Sequence, residues 1–288
     1  FEAEYFVSPY WSDTTSYAWN SELAVRFGMV LEHVKPAVVV FDGTWPFEGF
    51  LSALISYGNR PKVVWSSRGL LRNQRADLEA TEALFDLIIE PGELGAEYVA
   101  QSLEGCVSKI VVPPVCLLRE DEILDRAAAR QALGLAADSK EVLFSLGAGN
   151  LKNVNDMGAG LVERFKGLGF NVSWAVPSIQ TKAPDLPLGV NALELYPLAK
   201  YLRAFDAFVG AAGYNTCCEV VQAGVPSLLV PNDLVVDDQQ ARALNTAQYV
   251  PCVVSSCATD EERDAAIKKL MLLVDAPKPV VPLVMNGA

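Results

Sequence analysis

AFDAFVGAAGYNTCCEVVQAGVPSLLVPNDLVVDDQQ, residues 204–240, is the stretch from which the fold is read. Ala207-Phe208-Val209 is a short apolar strand, and Gly210-Ala211-Ala212-Gly213 follows with no side chain large enough to hold a ligand off the backbone. Thr216-Cys217-Cys218-Glu219 has capping-box spacing, so a helix is expected to start at Thr216. Gly224 with Pro226 stops it, and Ser227-Leu228-Leu229-Val230 re-enters the sheet. The result is a βαβ unit whose helix start, with its orphan N–H groups and positive dipole end, faces the mouth of the sheet and suits a diphosphate. Each piece also has a plainer reading. Glu219 can be only the third member of a capping box, Gly224-x-Pro226 an ordinary helix stop, and Asp237-Asp238-Gln239-Gln240 a solvated helix start.

Taken together, Gly213-x-x-Thr216-x-x-Glu219-x4-Gly224-x-Pro226, then Pro231 and Asp238-Gln239-Gln240, resemble the donor-sugar signature of GT-B glycosyltransferases, most closely glycosyltransferase family 28. The type member of that family transfers N-acetylglucosamine from UDP to the lipid-linked peptidoglycan precursor. The resemblance implies two Rossmann-like α/β domains facing across a cleft. It places the donor diphosphate at Gly213, Asn215 and Thr216, the ribose on Glu219, and the sugar on Asp238, Gln239 and Gln240. It also carries over Gly147, Gly149 and Asn150, with Lys152 beside them, as a second phosphate loop, and Leu195 and Tyr196 as contacts to the base.

The chain has 288 residues, enough for two domains of ordinary size. Its 51% hydrophobic content argues against disorder, and its formal charge of −12 argues against a sequence-independent nucleic-acid binder. A small anionic substrate remains compatible, because its site needs only local N–H groups. Six cysteines without CxxC pairing read as reduced thiols of a cytoplasmic protein, and one histidine leaves little for a zinc site. No apolar run reaches the length of a membrane span.

Taken in order, residues 1–20 are rich in aromatics, suited to packing or to an acceptor-facing surface. A helix through Leu23 to Val34 ends at Pro36, and Ala37-Val38-Val39-Val40-Phe41 reads as a buried parallel strand turning at Asp42-Gly43. A helix over 46–57 and a strand over 62–66 follow. Arg68, just past that strand, is a candidate anion contact or a structural ion pair. Further strands over 87–89 and 109–112 alternate with helices over 77–85 and 94–103, the period of a doubly wound sheet. The domains are expected at 1–118 (acceptor side, incomplete at its start) and 141–288 (nucleotide-sugar binding), with 119–140 between them.

The sequence departs from the family pattern at its beginning. Family members open with a strand, a glycine loop bearing a histidine, and a long helix, none of which is visible, so the chain looks short at both ends. His33 lies near a helix end and reads as a C-terminal dipole partner. Asp42, at a strand end, is the candidate catalytic base. With no Asp-x-Asp in the chain, no metal cofactor is expected. The implied reaction is metal-independent hexosyl or N-acetylhexosaminyl transfer from a UDP-sugar to an unknown, lipid-linked or other, acceptor. The alternatives are a nucleotide-sugar hydrolase or epimerase of the same fold, or a non-catalytic donor-binding subunit.

Overall fold

In the computed structural model the described residues are 3–9, 12–67, 77–94, 108–146, 154–176, 186–232 and 237–276. They divide into two compact units. The first holds residues 1–68, 73–91 and 99–112; the second holds 69–72, 92–98 and 113–288.

The first unit contains α1 (Ser16–Val34), β1 (Val38–Gly43), α2 (Glu48–Ser56), β2 (Lys62–Ser67), α3 (Leu78–Glu82), β3 (Leu87–Pro91) and β4 (Ser108–Val112). Its four strands are all parallel, in the order β1-β2-β3-β4. Leu31 of α1 and Phe50, Ala53 and Leu54 of α2 close a core with Val63, Trp65, Phe85 and Ile88 on one face of the sheet. Phe27 stacks on Phe50 at 5.0 Å. The sequence predicts a fully buried strand over 37–41, whereas β1 is the sheet edge and alternates between exposed and half-buried residues. Its Val38 and Val40, with Ile110 of β4, lie 44–62% exposed on the face opposite the core. An unbroken valine run specifies a strand but not how many of its faces are covered. Of the amino-terminal aromatics, Phe6 packs on Trp19 at 5.2 Å, while Tyr17 is exposed. His33 lies in the last turn of α1, as expected.

The second unit contains α4 (Arg126–Leu133), β5 (Glu141–Ser145), α5 (Val154–Gly167), β6 (Asn171–Ala175), β7 (Asn191–Leu193), a 3₁₀ helix (Leu198–Ala204), β8 (Ala207–Ala211), α6 (Tyr214–Ala223), β9 (Ser227–Val230), α7 (Gln239–Thr246), β10 (Cys252–Val254) and α8 (Asp260–Val274). All six strands are parallel, in the order β10-β9-β8-β5-β6-β7. That is the doubly wound order, in which the chain reverses direction across the sheet between β5 and β8. Apolar clusters cover both faces, one built on Phe144, Leu161 and Phe165, the other on Leu143, Phe205 and Phe208.

Residues 119–140, expected between domains, pack within this second unit. Arg130 is buried, and its guanidinium donates to the carbonyls of Ala204, Ala136, Ala137 and Ser139 and to Asp206. Asp206 also accepts from Arg126 and from the amide of Glu141, the first residue of β5.

Candidate functional site

The switch between β5 and β8 is where a doubly wound sheet binds ligands. The end of β8 at this point runs through Ala212 and Gly213 straight into α6. Gly213 is the N-cap, with no side-chain cap, and Cys217 N–H to Gly213 O at 3.0 Å is the first helical bond. The amides of Tyr214, Asn215 and Thr216 therefore precede the helical ladder. The sequence predicts a helix starting at Thr216 under a capping box; the structure moves the start to Tyr214. Thr216 is instead the third helical residue and Glu219 the sixth, so the reading of Glu219 as a cap falls. A helix whose first amides are left open by a glycine does not need a Thr cap at the same place.

Gly213 has φ −68° and ψ 156°, a conformation open to any residue, and a Cβ added there would meet only Thr216 Oγ1, at 4.0 Å. The fold itself therefore does not require glycine here. Gly210 is the contrast, since its Cβ would lie 2.3 Å from the Phe208 ring and 3.1 Å from Ser145 O.

One and a half turns into α6, Glu219 is half-buried, and burial pushes its carboxyl up to about 7. Among the described residues no hydrogen bond or ion pair reaches that carboxylate. Cys217 and Cys218, beside it, point into the core as buried thiols.

α7 brings the polar pair to the same end of the sheet. Asp238 caps α7 by accepting from Ala241 N–H at 3.0 Å. Gln239 is buried, its Oε1 accepting from Asn232 N–H at 2.9 Å, and Gln240 is exposed. Leu195 is half-buried, and Tyr196, joined to Pro197 by a cis peptide, is 80% exposed. In the first unit, Asp42 is the penultimate residue of β1 and accepts from the Ser66 hydroxyl at 2.9 Å. Arg68, Gly147, Gly149, Asn150 and Lys152 lie outside the described residues.

Sequence reasoning missed the group that ties these pieces together. Arg242 of α7 is 1% exposed and makes paired bonds to Glu93 (2.7 and 2.9 Å) and to Asp237 (2.6 and 2.8 Å). Its Nη1 also donates to Ala212 O in the glycine turn at 3.3 Å, and its guanidinium lies 5.8 Å from the Tyr214 ring. Burial works against its charge, but Asp237 and Glu93 outweigh that, so its pKa rises. The Tyr214 hydroxyl in turn donates to Gly92 O and accepts from Val115 N–H. One signal was available: Arg242 falls three and four residues from the buried Gln239 and Thr246, on the inward face of α7.

The chain is also similar to proteins of known kind. Residues 180–279 match the profile described as glycosyltransferase family 28 C-terminal domain. A curated relative from Acetivibrio thermocellus, UDP-N-acetylglucosamine--N-acetylmuramyl-(pentapeptide) pyrophosphoryl-undecaprenol N-acetylglucosamine transferase, is 31% identical over 48% of this chain and 40% of its own length. The protein of the same name from Listeria welshimeri is 27% identical over 91% of this chain and 76% of its own. Among solved structures, the spinosyn rhamnosyltransferase SpnG complexed with thymidine diphosphate aligns at a TM-score of 0.56 with 17% identity, covering 90% of this chain and 74% of that one. The two parallel-sheet domains are those of the GT-B glycosyltransferase fold.

Proposed function

We propose that this chain is a glycosyltransferase that moves a hexosyl or N-acetylhexosaminyl group from a UDP-sugar to an acceptor hydroxyl, with the donor held on the second unit. The observation that carries this reading is the uncapped start of α6 at the switch point, with the Glu219 carboxylate, unpartnered among the described residues, on the same helix. The amides of Tyr214, Asn215 and Thr216 and the positive end of the α6 dipole neutralise the diphosphate as it leaves, the task a metal ion performs in other sites. Glu219 accepts hydrogen bonds from the ribose hydroxyls. Leu195 and Tyr196 flank the base, and Asp238, Gln239 and Gln240 orient the sugar. Gly147, Gly149 and Asn150 complete the phosphate contacts, and Arg68 is an anion contact. Asp42 takes the acceptor proton. A lipid-linked acceptor fits the names of the curated relatives, which print a pyrophosphoryl-undecaprenol substrate. No described helix is long and apolar enough to cross a membrane.

Calorimetric titration with UDP, in EDTA, tests the reading. Wild type should bind, and Glu219→Ala should lose about 1–3 kcal/mol of binding, the worth of hydrogen bonds to a charged group. Wild type that binds neither UDP nor TDP nor GDP would reduce the relationship to a shared fold.

A further inference from the structure

Within the second unit, three contacts in step lay the stretch between β4 and α4 along one face of α6. Val115 N–H donates to the Tyr214 hydroxyl at 3.0 Å, and Gln222 Nε2 donates to Leu118 O at 2.8 Å. Between these two ties, the Cys116 and Cys218 thiols are hydrogen-bonded to each other. Tyr214, Cys218 and Gln222 follow one another at intervals of four, so they share one face of the helix, and residues 115, 116 and 118 meet them in order. The two sulfurs are thus brought side by side by the register on either side of them.

The two thiols differ in kind. Cys218 is 2% exposed in the middle of a helix, whereas Cys116 is half-buried on a stretch with no helix or strand of its own. The hydrogen bond between them lowers the Cys116 thiol from its ordinary value, against the effect of its burial, and raises that of Cys218. The more accessible sulfur is therefore the better nucleophile, since it is the thiolate that attacks a disulfide. Cys217, next in the chain, faces Thr246 instead, and burial pushes it up to about 11; burial pushes Cys252 up to about 12.

We infer that Cys116 and Cys218 are a dithiol modification site, which a small disulfide such as oxidised glutathione converts to an intramolecular disulfide, Cys116 attacking and Cys218 resolving. Cys116 gives up its proton and attacks one glutathione sulfur; the glutathione S–S bond breaks, a Cys116–glutathione bond forms, and one glutathione leaves with that proton. Cys218 then attacks the Cys116 sulfur, displacing the second glutathione, which takes the Cys218 proton. Two protein thiols are oxidised and one glutathione disulfide is reduced. The second step is helped by the first, because the Cys116 charge and hydrogen bond that raise the Cys218 thiol vanish once Cys116 is in the mixed disulfide. The product straps residues 115–118 to the helix that carries Glu219, whether or not that helix holds a donor.

To test this, the full chain, reduced and freed of reductant, is incubated under native conditions with oxidised glutathione, alkylated in denaturant and mapped by mass spectrometry. Wild type should carry a Cys116–Cys218 link and keep no glutathione on either residue. Cys218→Ser, or Cys218→Ala if serine disturbs the buried position, should retain glutathione on Cys116, because nothing resolves it. Cys116→Ser should leave Cys218 fully alkylatable. Wild type whose Cys116 stays alkylatable, or keeps its glutathione, overturns the inference. A Cys116–Cys217 link in the Cys218 variants also overturns it, because the register along α6 would then not choose the partner.

Discussion

At Glu219 the fold and the proposed ligand pull in opposite directions. Burial without a partner holds its carboxyl near 7, well above the ordinary 4.5, so the folded protein binds this proton more tightly than the unfolded chain does. A raised carboxyl favours the fold below about pH 4.5, and that contribution is lost as pH rises through 7. Glu219→Gln should therefore be more stable than wild type at pH 8 by up to about 3 kcal/mol, with the gain vanishing by pH 4.5, as read from urea midpoints at the two pH values. The ribose diol needs the ionised form, so UDP-sugar affinity should climb about ten-fold from pH 6 to pH 8 in wild type and stay flat in Glu219→Gln. A UDP-sugar is the right probe because its diphosphate has no ionisation in that range. A variant that is more stable but binds worse marks a ligand-directed residue, whereas a cap would lose stability on substitution. Gly213 makes the same point by geometry. Gly213→Ala should cost at most about 1 kcal/mol of stability, the difference between the two as N-caps, while lowering UDP affinity by ten-fold or more. Loss of stability with unchanged UDP binding would assign this glycine to the fold. Neither distinction was legible in the sequence, where Thr216-x-x-Glu219 satisfies a capping box as well as a ribose site; only the true helix start, at Tyr214, separates them.

The elements themselves were largely readable, because β5, β8 and β9 are short apolar runs closed by glycine or proline, and α6 ends at a left-handed Gly224. What stayed hidden were contacts between elements distant in sequence. Arg242 meets Glu93 across 149 positions, and Arg130 meets Asp206 across 76, so no local spacing announces either pair. The segment 119–140 looked like a linker for this reason: it is charged and alanine-rich, and its one buried charge finds partners only in the folded second unit. Arg130→Met should lower stability by about 3 kcal/mol or more, since it strips donors from Asp206 and from the carbonyls of Ala204, Ala136, Ala137 and Ser139. Chemical denaturation checks it, with Arg119→Ala as the exposed control, which should leave the midpoint where it is. A similarly small shift in Arg130→Met would mean that α4 is docked by Leu133, Leu135 and Ala129 alone.

The two units have separate cores, and the cores differ in kind. The second unit's sheet is covered by apolar clusters on both faces. Among the described residues, the first unit's sheet is packed on one face and carries exposed Val38, Val40 and Ile110 on the other, so less of their apolar surface is removed from water. The first unit should accordingly unfold at the lower temperature. The tryptophans report on this separately: Trp11, Trp19, Trp45 and Trp65 belong to the first unit and Trp174 to the second. If the donor site lies wholly in the second unit, UDP at a hundred times its Kd adds about 2.7 kcal/mol to that unit alone. Heating the protein with and without UDP should show a tryptophan-fluorescence transition that stays in place and a later far-UV circular dichroism transition that moves up. A single transition seen by both probes, shifted as one by UDP, would instead mean that donor binding and the folding of the first unit are thermodynamically coupled. The first unit would then be part of the donor site's stability, which the separation of the cores argues against.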